Sequence, residues 1–339
     1  MARIYSIDYI KFFAIFAVVV IHVFPLDGFT GYFIIDNAAR FAVPFFFAAS
    51  GYFFAQKMKH NEAPFYYLKN YVIKLVKLYL VWLIFYTSYD VLLVLLDGVA
   101  VQEKLTSYFE QFTLLNLIYY GKGTSGYQLW FLTALIWSTI VIFIFFKFKQ
   151  ITVLFLISFG LNLLGLLGQA YTMFIKFPIN SSRDAMFFGL FYTTLGVMFA
   201  LNNQLNSLKK ISGQTFLGLA LIGVVVQAME GYILDKVLSG SHGEYFFSTI
   251  LLTAFLFLFA LHYKSLGKGL YITKVGANAL GIYIIHVFFL DVFNKFIKLL
   301  NLDWLSENFI WNLCYTLFIF TISYFTYDFF QKIKRSIKQ

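Results

Sequence analysis

The sequence predicts an all-α polytopic membrane protein, a bundle of about ten transmembrane helices with both termini in the cytoplasm. Three observations carry that prediction. Hydrophobic residues make up 60% of the chain and charged residues only 12%, about half the charged share usual in soluble domains, and mean hydropathy is +0.76. The apolar residues fall in runs matching the roughly 20 that a helix needs to cross the hydrocarbon core, whereas a barrel would alternate apolar and polar over segments of about ten. Basic residues collect at the ends of those runs.

Spans are expected near 8–26, 32–54, 76–96, 129–146, 151–168, 184–201, 212–233, 245–263, 276–294 and 307–330. The first follows Arg3, carries Asp8 and Lys11 inside it, and meets no small-residue cleavage site, so it reads as a retained helix rather than a signal peptide. A short hairpin at 27–31 leads to the second. The longest outer loop, 97–128, gathers acidic residues and glycine ("LLDGVAVQEK", "GKGTSGYQ"). With the N-terminus inside, seventeen of the 26 Lys and Arg fall on inner segments and seven on outer ones, with Lys11 and Arg40 within spans. Nine residues follow the last span, so residues 1–339 are read as a single transmembrane domain whose chemistry or transport lies within the bundle.

Composition also excludes several classes. The net charge of +10 is spread over helix ends rather than gathered in one patch, which argues against a nucleic-acid partner. One cysteine, four prolines and no long polar tract leave no basis for a disulfide framework, a metal cluster or a disordered tail. Cys314 is read as packing, and the 45 phenylalanines as apolar filler rather than a carbohydrate platform.

Two heptads stand out. "IHVFPLD" at 21–27 returns as "IHVFFLD" at 285–291 with one position changed. Lys11 and His22 are eleven steps apart, about three helical turns, so they share one face roughly 16 Å apart along the axis, with Asp8 a turn below Lys11. Ionisable groups inside a membrane usually face a partner or a water-filled path. The plainer alternative is an Asp8–Lys11 interfacial pair with His22 bonded to a neighbouring carbonyl. In the second helix Asp36 and Arg40 form an i,i+4 pair. His286, about ten residues into the ninth span, is expected near mid-bilayer and deeper than His22.

The first helix, "RIYSIDYIKFFAIFAVVVIHVF", resembles the opening of the acyltransferase-3 family, in which a basic residue, ten residues and a histidine occupy that helix. "RFAVPFFFAASGYFF" (40–54) is similar to the family's second helix and "YLKNYVIKLVKLYLVW" (67–82) to the basic approach to its third. "LWFLTALI" (129–136), "SRDAMFFGLFYTTLG" (182–196) and "GANALGIYIIHVF" (276–288) follow in family order. Lysine stands at 11, 74 and 77 where the family more often has arginine, keeping the charge but not the bidentate geometry. The resemblance implies a ten-helix enzyme that takes an acyl group, most commonly acetyl, from cytoplasmic acyl-CoA to a hydroxyl of a sugar, polysaccharide or glycolipid at the outer face.

Under that resemblance His22 is the candidate base, since histidine titrates near neutrality, and a transient acyl-histidine is the other route. Lys11 would hold the CoA arm or phosphate, as would Lys74 and Lys77 with Lys69, and Ser50 and Gly51 at the end of the second helix. Lys57 and Lys59 read as positive-inside anchors. Asp36 either is neutralised by Arg40 or fixes the imidazole of His22, with Arg40 on the thioester carbonyl or the sugar. Arg183, beside Asp184, is expected to touch acceptor or acyl group, Trp130 to stack on a sugar ring, Glu230 to touch the acceptor, and His286 to line the pantetheine path. No chemistry is assigned to His60, His242 or His262. The expected setting is a bacterial plasma membrane, with membrane lipid and envelope-polysaccharide synthesis proteins as partners. The rival class is a transporter or exporter of a lipid-linked sugar, a polysaccharide or a small solute. It would favour inverted repeats, yet Lys274 precedes His286 by twelve residues where Lys11 precedes His22 by eleven.

Overall fold

Long apolar runs with few breaking residues dictate helices, and helices are what form. The computed structural model describes residues 3–25, 30–175, 181–201 and 210–336, and among these there is no strand. Leu26 and Asp27, which close the first heptad, part of the 27–31 hairpin, and the topology lysines 176, 209 and 338 lie outside the described residues. The principal helices are α1 (Tyr5–Val23), α2 (Ala42–Lys59), α3 (Pro64–Asp97), α4 (Val101–Glu110), α5 (Trp130–Lys147), α6 (Ile151–Leu167), α7 (Leu190–Leu201), α8 (Gly213–Tyr232), α9 (Phe247–His262), α10 (Tyr271–Ala277), α11 (Ala279–Leu299) and α12 (Phe309–Ser336). Wide π-helical turns at Thr30–Asp36, Ala185–Gly189 and Ile233–Val237 adjoin α2, α7 and α8.

Seven described segments are long and apolar enough to cross a membrane: Tyr5–Val23, Phe33–Lys59, Pro64–Asp97, Tyr127–Lys147, Gly213–Val237, Ala279–Leu299 and Phe309–Ser336. Three shorter apolar helices, Ile151–Leu167, Ala185–Leu201 and Phe247–His262, stand where the remaining spans are expected. The protein is therefore a multi-pass, all-helical membrane protein. The third span departs most from expectation: it begins at Pro64 instead of near 76 and runs for 34 residues. Lys69, Lys74 and Lys77 interrupt the apolar run but not the helix, because lysine is a good helix former and Pro64 sits in the first turn, where proline is tolerated.

The chain divides into two compact units, and the boundary falls inside α2 between Phe46 and Phe47. The first unit holds residues 1–46, 169–176 and 204–339. Within it α1 packs against α10, α11 and α12, and α8 against α9. The buried stripe of α1 (Ile7, Ile10, Ala14, Val18) recurs at helical spacing, with His22 one turn further on. Gly276 lies against the Asp8 carbonyl so closely that a β-carbon would collide with it. On α12 the buried seam is Asn312, Thr316, Ile319 and Ser323. Cys314, read in the sequence as packing, falls off that seam and is exposed.

The second unit holds residues 47–168 and 177–203. Here α5 packs against α3 and α7, and α6 against α7. Gly51 of α2 meets the Thr193 carbonyl while Gly196 of α7 meets the Ala48 carbonyl, a reciprocal approach that any β-carbon would block. The 97–128 loop is tied to α3 through Asp90, which accepts from the Tyr108 hydroxyl (2.8 Å) and the Ser125 amide (2.9 Å).

Candidate active site

In the first unit, helix α1 delivers His22 to the ring of His286. Their centroids are 5.5 Å apart and their planes 27° from parallel. His286 has no exposed surface, whereas His22 is partly exposed. The Nδ1 of His286 lies 3.3 Å from the Ile282 carbonyl. A carbonyl only accepts, so Nδ1 donates and Nε2 carries the lone pair. That buried Nε2 meets no hydrogen-bond partner among the described residues.

The expected difference in depth between the two histidines is corrected. Counting from the start of each span places His286 below His22, but α11 is raised along α1. Gly276 is level with Asp8 and Phe12, and ten residues further on His286 meets His22, so α1 and α11 run parallel with both heptads at one height.

Below the pair, Asp8 is held by Arg3 at 2.8 Å and by Lys11 at 3.8 Å. The interfacial ion pair is therefore present, and Lys11 keeps its place on the His22 face of the helix. Some distance along the chain, the π-helical turn Thr30–Asp36 presents Asp36, which is 2% exposed, to a bidentate fork from Arg40 at 3.0 and 2.8 Å. The imidazole set against this pair is His242, whose Nε2 lies 3.3 Å from Arg40 Nη2 and 3.8 Å from Asp36 Oδ2. Burial, then the Arg40 charge, holds His242 below the ordinary histidine range, although Asp36 and Glu244 oppose the shift. Arginine can only donate, so Nε2 accepts. Next to Asp36, the Asn37 amide is buried, and neither side-chain polar atom has a partner among the described residues.

Glu230 caps a helix. Its carboxylate accepts from the Phe247 and Ser248 amides, at 3.1 and 2.9 Å, at the N-terminus of α9, and from the Tyr171 hydroxyl. An anion there complements the helix dipole.

In the second unit, the Arg183 guanidinium lies 5.1 Å from the centroid of the Trp130 ring, joining two residues predicted separately. Trp130 is buried against Phe47 and Phe188. Asp184 caps the π-helical turn at the Phe187 amide (2.8 Å) and accepts from the Tyr119 hydroxyl (2.9 Å). Burial, then the Asp184 carboxylate, pushes the Tyr119 phenol above its ordinary range, so it remains a donor. The close approach that Gly51 permits is to the Thr193 carbonyl, beside partly exposed Ser50. Lys69, Lys74 and Lys77 are exposed on α3.

Sequence reasoning missed His242 and Asn37. His242 lies more than 200 positions from Asp36, so no local spacing reports the contact; Asn37, in contrast, is flagged only by its burial.

The fold and these sites define a multi-pass helical membrane protein with a stacked histidine pair, one ring buried and one partly exposed. A model of an acyltransferase domain, Acyl_transf_3, matches residues 4–328, and the chain belongs to this acyltransferase-3 family. Two curated proteins of Enterococcus faecalis, each called an amino-acid racemase, are similar to it. One is 30% identical over 202 residues, covering 58% of this chain and 26% of its own length. The other is 27% identical over 308 residues, covering 84% of this chain and 40% of its own. The chain thus spans well under half the length of these relatives. No solved structure matches the chain.

Proposed function

We propose that this protein is a membrane-bound O-acyltransferase of a bacterial plasma membrane. In this reading about ten spans and inward-facing termini place acyl-CoA, with acetyl-CoA expected, at the lysine-rich side. The acceptor is a hydroxyl of an envelope sugar, polysaccharide or glycolipid at the outer side. The observation that carries the reading is the His22–His286 pair, in a chain of an acyltransferase family. His22 is the partly exposed member and so the one a hydroxyl can reach. It accepts the hydroxyl proton as the oxygen attacks the acyl carbonyl, and returns that proton to the departing sulfur as the carbon–sulfur bond breaks. His286, fixed through Ile282, holds the His22 ring. The thioester supplies the activated carbonyl. Lys11 stands on the same helix face as a point charge, and Lys74 and Lys77 supply charge for phosphates. Arg183, stacked on Trp130, offers donors to the acceptor. Asp36 and Arg40 serve as a self-neutralised pair, and Glu230 as a helix cap.

The rival reading is that this bundle carries a small solute or a lipid-linked sugar across the membrane without acylating it. Purified protein in nanodiscs given labelled acetyl-CoA tests the first reading through CoA release with and without glycan acceptors. Turnover that His22→Ala abolishes supports the enzyme. Solute uptake into proteoliposomes with no acyl-CoA binding or turnover would establish the transporter instead.

A further inference from the structure

In the second unit four helix ends meet. Helix α3 begins at Pro64, α5 ends at Lys147, α6 begins at Ile151 and α7 ends at Leu201. Between them lies a cavity of about 670 Å³, within the range of ligand pockets. Its wall is apolar, from Phe65, Phe143, Phe146, Ile151 and Leu201, while Lys147 and Lys149 are the charged residues among its lining. It abuts a buried cluster that includes Phe54, Met58, Leu68 and Leu154. Convergence of apolar helix ends marks the depth at which hydrocarbon gives way to headgroups.

Lys149 carries a second signal. It sits in the tight turn joining α5 to α6 with φ of 56°, a left-handed conformation that favours glycine. Its amide donates to the Phe146 carbonyl at 3.0 Å, and the next amide, of Gln150, to the Phe145 carbonyl at 2.8 Å. A lysine at a position suited to glycine keeps a charge at the mouth of the cavity at a cost in backbone strain. Both lysines are exposed.

We propose that this cavity holds an acyl chain of an anionic membrane phospholipid, with the headgroup phosphate between Lys147 and Lys149. A free phosphate would leave the aromatic wall without a partner, and a neutral lipid would leave the two charges without one. An anionic phospholipid answers both, with its tail against the phenylalanines and its phosphate at the ammonium groups. This is independent of whether the protein transfers acyl groups.

Native mass spectrometry of the purified full chain, with phosphatidylglycerol and phosphatidylcholine of the same chain length, tests it. Two lysines near a surface phosphate should favour phosphatidylglycerol by about tenfold to thirtyfold. The double change Lys147→Gln, Lys149→Gly should erase that preference, and glycine suits the φ at 149, so the turn is kept. Thr152→Trp, which fills the cavity without altering charge, should reduce retention of both lipids, with circular dichroism confirming the fold of each variant. Equal retention of the two lipids by the wild type overturns the proposal. So does a preference that survives the double change, retention unaffected by Thr152→Trp, or displacement of phosphatidylglycerol by long-chain acyl-CoA.

Discussion

Two histidine sites occur in the first unit, and they are built on opposite plans. His242 stands among charges that already answer one another: Arg40 is forked onto Asp36, and the imidazole accepts from the same guanidinium. His286 and His22 stand ring against ring, with the buried Nε2 of His286 lacking a partner among the described residues. A site whose charges already answer one another has little left to offer a substrate and chiefly holds structure. A site with an unspent lone pair beside an accessible ring has chemistry to offer, because leaving such a group buried carries a desolvation cost.

Removing the accessible ring should have the largest effect. Under the proposed function, His22→Ala is expected to lower acyl transfer by roughly 10²–10⁴-fold, the range for loss of a general base, with acyl-CoA binding retained. Under the same assay His242→Ala should change turnover by less than about threefold, within the ±0.5 kcal/mol of a partly exposed substitution. A larger loss at His242 than at His22 would reverse the contrast. Arg40→Ala should instead act on stability, by about 3–5 kcal/mol, because Asp36 would be left buried and unpaired. The thermal midpoint in detergent reports this, and adding Asp36→Asn should recover part of the loss.

His286→Ala, by freeing the His22 ring, should cost on the order of tenfold to a hundredfold in kcat with KM for acyl-CoA little changed. A KM effect alone would assign His286 to binding. The smallest effect concerns pH. His242 is held below its ordinary value of 6.5 by burial first and Arg40 second, so the folded protein resists a proton that the unfolded chain accepts. Its contribution to stability is full above that ordinary value and declines as pH falls from there toward the depressed folded value. His242→Gln should flatten the acid side of the stability profile relative to wild type, and parallel profiles would contradict the assignment.

The membrane-spanning character was legible because it rests on composition and run length, which are local. So was the alignment of Lys11 with His22, since a single helix fixes it. Contacts between distant segments were not. Glu230 reads in sequence as a lone acid at a helix end, and only the arrival of α9 makes it a cap. Asp36 reads in sequence either as neutralised by Arg40 or as a partner of His22; the Arg40 fork is present, and the imidazole beside it is His242, from a loop far along the chain. The third helix was shortened because hydropathy sees its lysines as an end and backbone propensity does not. Trp130 and Arg183 were named only through family resemblance, and their stacking is a tertiary fact.

Gly276 sets a mechanical tolerance. With the Asp8 carbonyl against its α-carbon, this residue is the stop against which the α10–α11 segment is seated along α1, as a shoulder seats a shaft. A methyl group there, in Gly276→Ala, would push the segment outward or along the axis, and one residue of slip is about 1.5 Å. The two imidazoles, ten or more residues away, would then lose their face-to-face overlap although neither had been altered. The alignment of the histidines is thus gauged at the far end of the helix by the smallest residue in the chain.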